Sequence, residues 1–179
     1  MIKTIVFIVL GLLVLAIAAV LLLALRQPDT FRVQRSTLVA APADRIFPLI
    51  TDLRQMNSWN PFIKRDAQIK GSYSGPATGA GATYVFEGKQ AGSGSLRITD
   101  TAVPTRVAMK LDMSAPMDAH NDVLFVLEPE GGATRVTWTM QGASPFLGKV
   151  MGVVFSMDRM VGGAFEEGLA ELKIRAEGA

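Results

Sequence analysis

The sequence of 179 residues predicts an α+β domain carried behind one N-terminal transmembrane helix. Three observations predict this class. Residues 4–25 form a charge-free apolar run, the middle of the chain alternates apolar and polar residues, and residues 144–176 carry an apolar stripe at three- and four-residue steps. Strands with one apolar face form an antiparallel sheet that needs a cover, and we expect the long C-terminal helix to provide it.

The composition excludes several classes of protein. Nearly all charged residues follow residue 25, in the proportions of an ordinary soluble domain, which excludes a polytopic membrane protein. Abundant Val, Ile, Leu, Phe and Met exclude a disordered chain. A net charge of +2 is too small for a nucleic-acid-binding surface, even with a pI near 9.1. Because the chain has no cysteine, it has no disulfide, thiol nucleophile or thiolate metal site.

The N-terminal apolar run predicts a membrane anchor. Twenty-two uncharged residues span about 33 Å as a helix, enough for a hydrocarbon core of about 30 Å. A cleaved signal peptide is the alternative, but its apolar region usually has only about 7–15 residues. We therefore expect a retained single-pass anchor over residues 1–26, followed by a polar linker at 27–30. The side of the membrane stays open, because the charge rule is weak for a long domain.

The domain that follows the linker is predicted to occupy residues 31–176, and its first elements are short. Residues 31–40 alternate well enough to form a strand. A short helix is predicted at 44–50, and a second over 51–63 that ends before Pro61.

The middle of the chain is predicted to be a run of antiparallel strands. Residues 71–81 are rich in glycine and predict a loop. Alternation is clearest around Met109 and Trp138, and Gly131-Gly132 predicts a hairpin turn. The expected strands lie at about 82–88, 93–101, 105–113, 119–128 and 133–141.

One long helix is predicted over residues 144–176. Gly162-Gly163 lies in its middle, where each glycine costs about 1 kcal/mol relative to alanine, so we expect a close approach to the sheet or a kink. The apolar stripe consists of Phe146, Val150, Val153, Met157, Val161, Phe165, Gly168 and Leu172.

Several segments resemble a known superfamily. These are residues 33–50 (VQRSTLVAAPADRIFPLI) with Trp59-Asn60-Pro61, residues 127–140 (LEPEGGATRVTWTM) and residues 157–173 (MDRMVGGAFEEGLAELK). With the order of elements, they resemble the SRPBCC superfamily of START domains and birch allergens, which includes proteins labelled polyketide cyclase/dehydrase. The resemblance covers about residues 31–175. It implies a helix-grip fold, in which a curved sheet and a long helix enclose an apolar cavity, and it implies no particular reaction.

Residues able to support catalysis are few. His120 is the only histidine, and a histidine metal site is therefore not expected. If Val123 and Phe125 face the core, the same phase turns Asn121 inward and His120 outward. Asp112, Asp118 and Asp122 could converge, but solvated edge positions are the expected arrangement. No glycine-rich segment fits a phosphate or dinucleotide loop, so no cofactor is predicted.

The ligand-contact candidates are mostly apolar, although each could instead simply fill the core. They are Trp59, Tyr84, Phe86, Met109, Asn121, Trp138, Met140, Phe155 and Met157. Residues 145–157 are apolar most of the way round, which places them at the cavity mouth or against the membrane.

These features favour a membrane-anchored protein that binds a hydrophobic small molecule or lipid and has no chemistry of its own. The alternative is a cyclase- or dehydratase-like enzyme in which Tyr84, Asn121 or Asp112 works as acid or base. A third interpretation is a regulatory interaction module whose cavity is vestigial. Oligomeric state is not predicted.

Overall fold

A single antiparallel sheet of seven strands forms the centre of the protein, in the order β1-β7-β6-β5-β4-β3-β2. The computed structural model describes residues 2–154 and 157–178. Neighbouring strands along the chain from β2 to β7 pair with each other, and β1 pairs with β7. The strands are β1 (Thr30–Val39), β2 (Lys70–Ser74), β3 (Thr83–Glu87), β4 (Ser93–Ala102), β5 (Arg106–Ala115), β6 (Ala119–Glu130) and β7 (Ala133–Ala143).

In chain order, one helix precedes β1, three lie between β1 and β2, and two follow β7 among the described residues. Capping residues define where two of the short helices begin. The Asp52 side chain accepts from the N–H groups of Arg54 and Gln55, and the Asn60 side chain accepts from Phe62 N. The helices are α1 (Ile2–Leu25), α2 (Ala43–Thr51), α3 (Leu53–Trp59), α4 (Pro61–Lys64), α5 (Phe146–Val154) and α6 (Met157–Glu177).

The predicted α+β class is confirmed, and so is the direction of the strand residues predicted to face the core. Val107 and Met109 on β5, and Val136 and Trp138 on β7, are all at most 3% exposed, as their alternation predicted. The hairpin turn at residues 131–132 joins β6 to β7. Strand β2 was not predicted, because it is a mostly exposed edge strand inside a glycine-rich stretch and shows no alternating pattern. The second predicted helix ends before Pro61 as expected, because α3 ends at Trp59, whereas α4, which begins after the Asn60 cap, was not predicted.

Helix α6 covers the sheet and lies closest to β1. The guanidinium of Arg35 on β1 donates to Glu166 Oε1 at 2.6 Å and to Asp158 Oδ1 at 2.9 Å, both on α6. A Cβ on Gly162 would clash with the guanidinium of Arg35, so this glycine permits the close approach that the sequence predicted. Gly163 has no neighbour within 4 Å of such a Cβ, and nothing in the structure explains it.

Helix α5 corrects the prediction for the start of the C-terminal helix. It contacts α1, and Phe146, predicted to face the core, is 50% exposed. The reason is that α5 packs against α1 and not against the sheet, so Phe146 lies at the protein surface. Lys149 on α5 also donates to Asp29 Oδ1 at 2.6 Å, and Ser144 N donates to Asp29 O, which ties the linker to this helix. The residues that join α5 to α6 lie outside the described residues.

Candidate functional site

A cavity of about 240 Å³ lies between the inner face of the sheet and helices α3, α4 and α6. Apolar side chains make up most of its wall, and among the described lining residues none is aspartate, glutamate, lysine, arginine or histidine. The wall consists of Met56, Asn57, Asn60, Phe62, Ile63, Tyr84, Phe86, Ala91, Leu96, Leu111, Met113, Asn121, Val123, Trp138, Met140, Val161 and Phe165.

Alternation along the strands aims the sheet residues into this space. On β3, Tyr84 and Phe86 face the cavity, while Val85 between them is 47% exposed on the other face. Register then aligns the neighbours: Tyr84 pairs with Leu96 on β4, and Leu96 pairs with Leu111 on β5. The cavity wall is therefore one continuous inner surface that crosses β3 to β7.

Stacked aromatic rings form the wall beneath α6. Trp138 stacks on Phe165 of α6 with ring centroids 4.0 Å apart and planes 7° from parallel. On its other side Trp138 stacks on Phe125 at 5.0 Å. Gly168 allows α6 to approach Trp138 this closely, because a Cβ there would lie 2.9 Å from Trp138 Cζ3 and from Pro61 Cδ.

Three polar atoms of lining residues have no hydrogen-bond partner among the described residues. They are Trp138 Nε1, Asn121 Oδ1 and Asn57 Oδ1. Leaving such an atom unpaired costs about 1–3 kcal/mol, so buried polar atoms without a partner are rare in natural proteins. The other end of the Asn57 amide is fixed, since Nδ2 donates to Tyr73 Oη at 3.0 Å. All three atoms are buried within the wall and are not open to the space of the cavity.

Tyr84 is the one titratable side chain among the described lining residues. Burial, with a smaller contribution from Tyr73, raises the pKa of its phenol above the ordinary value of 10.0. Tyr84 therefore stays protonated at neutral pH. It can donate a hydrogen bond or a proton, but it is not a base.

Asp66 joins two loops at the rim of the cavity. Its Oδ2 accepts from Gln90 N at 2.7 Å and from Ala91 N at 3.1 Å, and its Oδ1 accepts from Gln68 N. Asp66 is 4% exposed as a residue, and these backbone N–H groups, Ala91 and Gln90 first, lower the pKa of its carboxyl from the ordinary 3.8. Asp66 thus fixes Ala91, a lining residue, beside the chain that leaves α4.

The structure brings five of the predicted contact residues to the cavity: Tyr84, Phe86, Asn121, Trp138 and Met140. Two others, Trp59 and Met109, are at most 1% exposed and pack in the core without reaching the cavity. Trp59 donates its indole N–H to Leu49 O at 2.9 Å, and its ring meets Trp138 edge-on. Phe155 lies outside the described residues, as does the side chain of Met157. Whether any of these residues binds a ligand stays a prediction.

Sequence reasoning missed the residues that reach the cavity from the helices α3 and α4. Met56, Asn57, Phe62 and Ile63 are among them. The capping signals at Asp52 and Asn60 could have placed these helix starts, and with them the inward-facing positions one turn later. The sequence gave no signal that Asp66 joins two loops, because Gln90 N and Ala91 N lie 24 and 25 residues further along the chain.

The predicted outward position of His120 is confirmed. Its side chain is 78% exposed, and Nδ1 lies 2.6 Å from Asp112 Oδ1. Both residues border an open depression of about 870 Å³, and alternation along β5 and β6 turns them to the face opposite the cavity. Within the part of the chain that the structure describes, no group of three or more His, Cys, Asp or Glu residues could hold a metal ion. Because Asp112 lies on the face opposite the cavity, it cannot act as an acid or base inside the cavity.

One helix in the described part of the chain is long and apolar enough to cross a membrane. It covers Val6–Leu25, 20 residues with a mean hydropathy of 3.3, near the N-terminus. A signal sequence near the N-terminus can meet the same criteria of length and hydropathy.

Comparison with known proteins identifies the family of residues 30–177. Residues 30–177 match the model of a family described as polyketide cyclase / dehydrase and lipid transport. Protein CV1439 from Chromobacterium violaceum is similar in structure, with a TM-score of 0.59 at 13% identity, over 84% of this chain and 99% of that one. The Aha1 dimer from Colwellia psychrerythraea has a TM-score of 0.56 at 18% identity, over 82% and 96% of the two chains. No curated protein matches the chain. At these identities the structural similarity concerns the fold alone.

Proposed function

Because this chain belongs to the polyketide cyclase / dehydrase and lipid transport family, with its helix-grip fold, we propose that it binds a hydrophobic small molecule or lipid. The ligand would lie in the cavity between the sheet and α6. The observation that carries the proposal is the cavity itself: 17 described residues line it, mostly apolar, with a few buried polar atoms. Ligand sites in proteins have this character, with apolar walls and a small number of polar groups for orientation.

The volume of the cavity limits the ligand. A cavity of about 150 Å³ holds benzene, and by that scale a cavity of 240 Å³ holds roughly ten non-hydrogen atoms. This size suits a compact molecule or the end of a lipid. Met56, Met113 and Met140 contribute flexible thioether side chains to the wall, which could repack around ligands of somewhat different shape.

The same proposal includes a retained membrane anchor, with residues 1–26 as the anchor, 27–30 as the linker and 31–176 as the binding domain. Two features support it. Helix α1 packs against α5, which a helix removed by cleavage would not need to do. On α5, Phe146, Leu147 and Met151 are 46–57% exposed, so a second apolar surface lies beside the anchor. A domain held in this way would stay close to a source of apolar ligands.

An enzyme is the less supported alternative. General acid–base catalysis needs a titratable group at the reacting atoms. Of the residues considered for that role, Asp112 lies on the opposite face of the sheet, and the raised pKa of Tyr84 leaves it only as a proton donor. The side chain of Asn121 does not titrate.

Native mass spectrometry of the full chain, released from detergent, tests the proposal. We expect a small co-purified adduct on the wild-type protein. Leu111→Trp would extend a larger side chain from mid-strand into the cavity, and the adduct should then be lost. Leu38→Trp is the matched control, because Leu38 is 40% exposed on β1 and the adduct should remain. An adduct that persists in both variants would place the ligand elsewhere.

A further inference from the structure

The N-terminal helix joins the sheet at one end, which we call the anchor end. Strand β1 begins at Thr30, directly after the linker, and Thr30 pairs with Ala143 at the end of β7. The antiparallel register continues the anchor end through the start of β6, the end of β5 and the start of β4, at Ala119, Ala115 and Ser93.

The cavity lies toward this anchor end. On β6, Asn121 and Val123 line the cavity, whereas Phe125, further from the anchor end, is fully buried in the core. The same order holds on three neighbouring strands. The lining residues there are Leu96 on β4, Leu111 and Met113 on β5, and Trp138 and Met140 on β7, and the core residues beyond them are Ile98, Met109 and Val136. The cavity therefore occupies the space between the closed core and the end of the sheet that carries the anchor.

Lining residues that are not fully buried mark where the cavity opens. Phe62 on α4 is 37% exposed, and Met113, near the end of β5, is only partly buried. Helix α4 is held at the anchor end, because Asp66, which follows it, accepts from Gln90 N in the turn between β3 and β4. The opening thus lies at the anchor end as well.

Helix α6 brings its start to the same place. Glu177 in its last turn accepts from Ala40 N, which follows β1 at the opposite end of the sheet. The first turns of α6, with the partly buried lining residue Val161, therefore lie toward the anchor end.

The anchor end also carries exposed apolar side chains outside the cavity. Met117, in the turn between β5 and β6, is 48% exposed, and Phe146, Leu147 and Met151 on α5 are 46–57% exposed. Helix α1 packs against α5, and Ala24 in its last turn is fully buried. A bilayer crossed by α1 lies beside these side chains and would cover them with hydrocarbon.

We propose that the anchor end of the sheet rests on the bilayer with the cavity opening toward it, so that the cavity takes up an apolar molecule dissolved in the membrane. This inference rests on the proposed function and adds the source of the ligand and its route. The described lining residues carry no charged side chain, so the cavity resembles the hydrocarbon that the molecule leaves. Direct transfer also avoids exposing the apolar surface of the molecule to water.

Photo-crosslinking in nanodiscs tests this orientation. Phe62, Met117 or Val103 is replaced in the full chain with p-benzoylphenylalanine, which bonds to nearby C–H groups under ultraviolet light. Val103 is the matched control, because it is 72% exposed in the turn between β4 and β5, at the opposite end of the sheet. After illumination in phosphatidylcholine nanodiscs, intact-protein mass spectrometry should show phosphatidylcholine adducts at positions 62 and 117 and none at position 103.

Single-cysteine labelling provides a second measurement at two exposed positions. Because the chain has no cysteine, Met117→Cys and Val103→Cys each carry one site for a nitrobenzoxadiazole fluorophore. A nitroxide on the lipid acyl chain should quench the fluorophore at position 117, and iodide in the water should quench the fluorophore at position 103.

Each contrary result has a defined meaning. Equal lipid adducts at positions 103 and 117, or iodide quenching at position 117, would overturn the inference. Adducts at position 117 without any at position 62 would also overturn it, because the cavity would then open away from the bilayer. In these cases a co-purified adduct that Leu111→Trp removes would still support the proposed function. Failure of the proposed function is recognised separately, by a wild-type protein that carries no such adduct.

Discussion

The two tryptophans of this chain differ in whether the indole N–H has a partner. In Trp59 the N–H donates to Leu49 O at 2.9 Å, one of the carbonyl groups that the end of α2 leaves free. In Trp138 the N–H has no partner within the described part of the chain. Both rings are at most 3% exposed and lie edge to face with centroids 5.7 Å apart. Burial is thus nearly equal, and the hydrogen bond is what distinguishes the two residues.

Replacing each tryptophan with phenylalanine should therefore have unequal effects on stability. Trp59→Phe removes ring atoms and leaves a buried carbonyl unpaired, and we expect the free energy of unfolding to fall by about 1–3 kcal/mol. Trp138→Phe also removes an unpaired donor, which offsets the lost packing, so the fall should be below about 1 kcal/mol. Urea unfolding of both variants measures the difference. Equal losses would mean that the Trp138 N–H is satisfied in the folded protein.

Asp66 is the residue whose ionisation matters most to the rim of the cavity. Its carboxylate accepts from Gln68, Gln90 and Ala91, and these hydrogen bonds favour the charged form. The pKa of Asp66 is consequently lower in the folded than in the unfolded chain. The stabilisation is present above the unfolded pKa of about 3.8 and is lost as the pH falls through the folded pKa.

We predict that Asp66→Asn lowers stability at pH 7 and reduces its dependence on pH below about 4. The pKa values of Asp29, Glu130 and Asp158 are also lowered, so the wild type and the variant will both lose stability in acid. The test is the difference between their unfolding midpoints, measured from pH 7 to pH 2, which should shrink as the pH falls. A constant difference would show that Asp66 acts through packing alone.

At the scale of elements, the placement of α6 depends on how closely it approaches the sheet. Gly168 and Gly163 lie in the same helix and differ only in their surroundings. A Cβ at position 168 would lie 2.9 Å from both Trp138 and Pro61, whereas a Cβ at position 163 meets nothing within 4 Å. One glycine is required by packing, and the other is not.

Alanine substitution should separate these two effects. Gly163→Ala should raise the free energy of unfolding by up to about 1 kcal/mol, because alanine is the better helix former. Gly168→Ala gains the same propensity but pushes α6 away from Trp138, and we expect a net loss of about 1–3 kcal/mol. Thermal unfolding followed by circular dichroism measures both. A stabilised Gly168→Ala variant would mean that α6 lies further from the sheet than described here.

The elements that could be predicted from the sequence are those whose pattern is local. Alternation predicted six of the seven strands and the inward direction of Trp138, because side chains switch faces at every residue of a strand. Strand β2 escaped prediction because an exposed edge strand needs no alternation. The exposure of Phe146 escaped it because the contact between α5 and α1 joins segments more than a hundred residues apart.

The candidate site was predictable only in part for the same reason. The residues that it receives from β3, β6 and β7 followed from strand phase. Met109 has the same phase, yet it packs in the core, since phase gives the direction of a side chain and not the space in front of it. Asn57 and Phe62 reach the cavity because short helices fold back over the sheet, which depends on contacts distant in sequence. No sequence pattern reveals that Trp138 Nε1 lacks a partner.

For the whole molecule, the division between anchor and domain is the main structural hypothesis. Helix α1 contacts α5, while the sheet is covered by α6 and the short helices. The hydrophobic core draws on β-strands, α2, α3 and α6, and no residue of α1 belongs to it among the described residues. Removing α1 should therefore leave the core and the cavity intact, and expose apolar residues of α5.

We predict that a chain starting at residue 27 folds and can be purified without detergent. Its circular dichroism and cooperative unfolding should be retained, because the core loses no side chain. It should no longer be an integral membrane protein, but Phe146, Leu147 and Met151 should give it weak binding to lipid vesicles. Replacing these three residues with serine in the shortened chain should abolish that binding in a vesicle sedimentation assay. If the shortened chain loses its circular dichroism signal, residues 4–25 belong to the fold and the division is wrong.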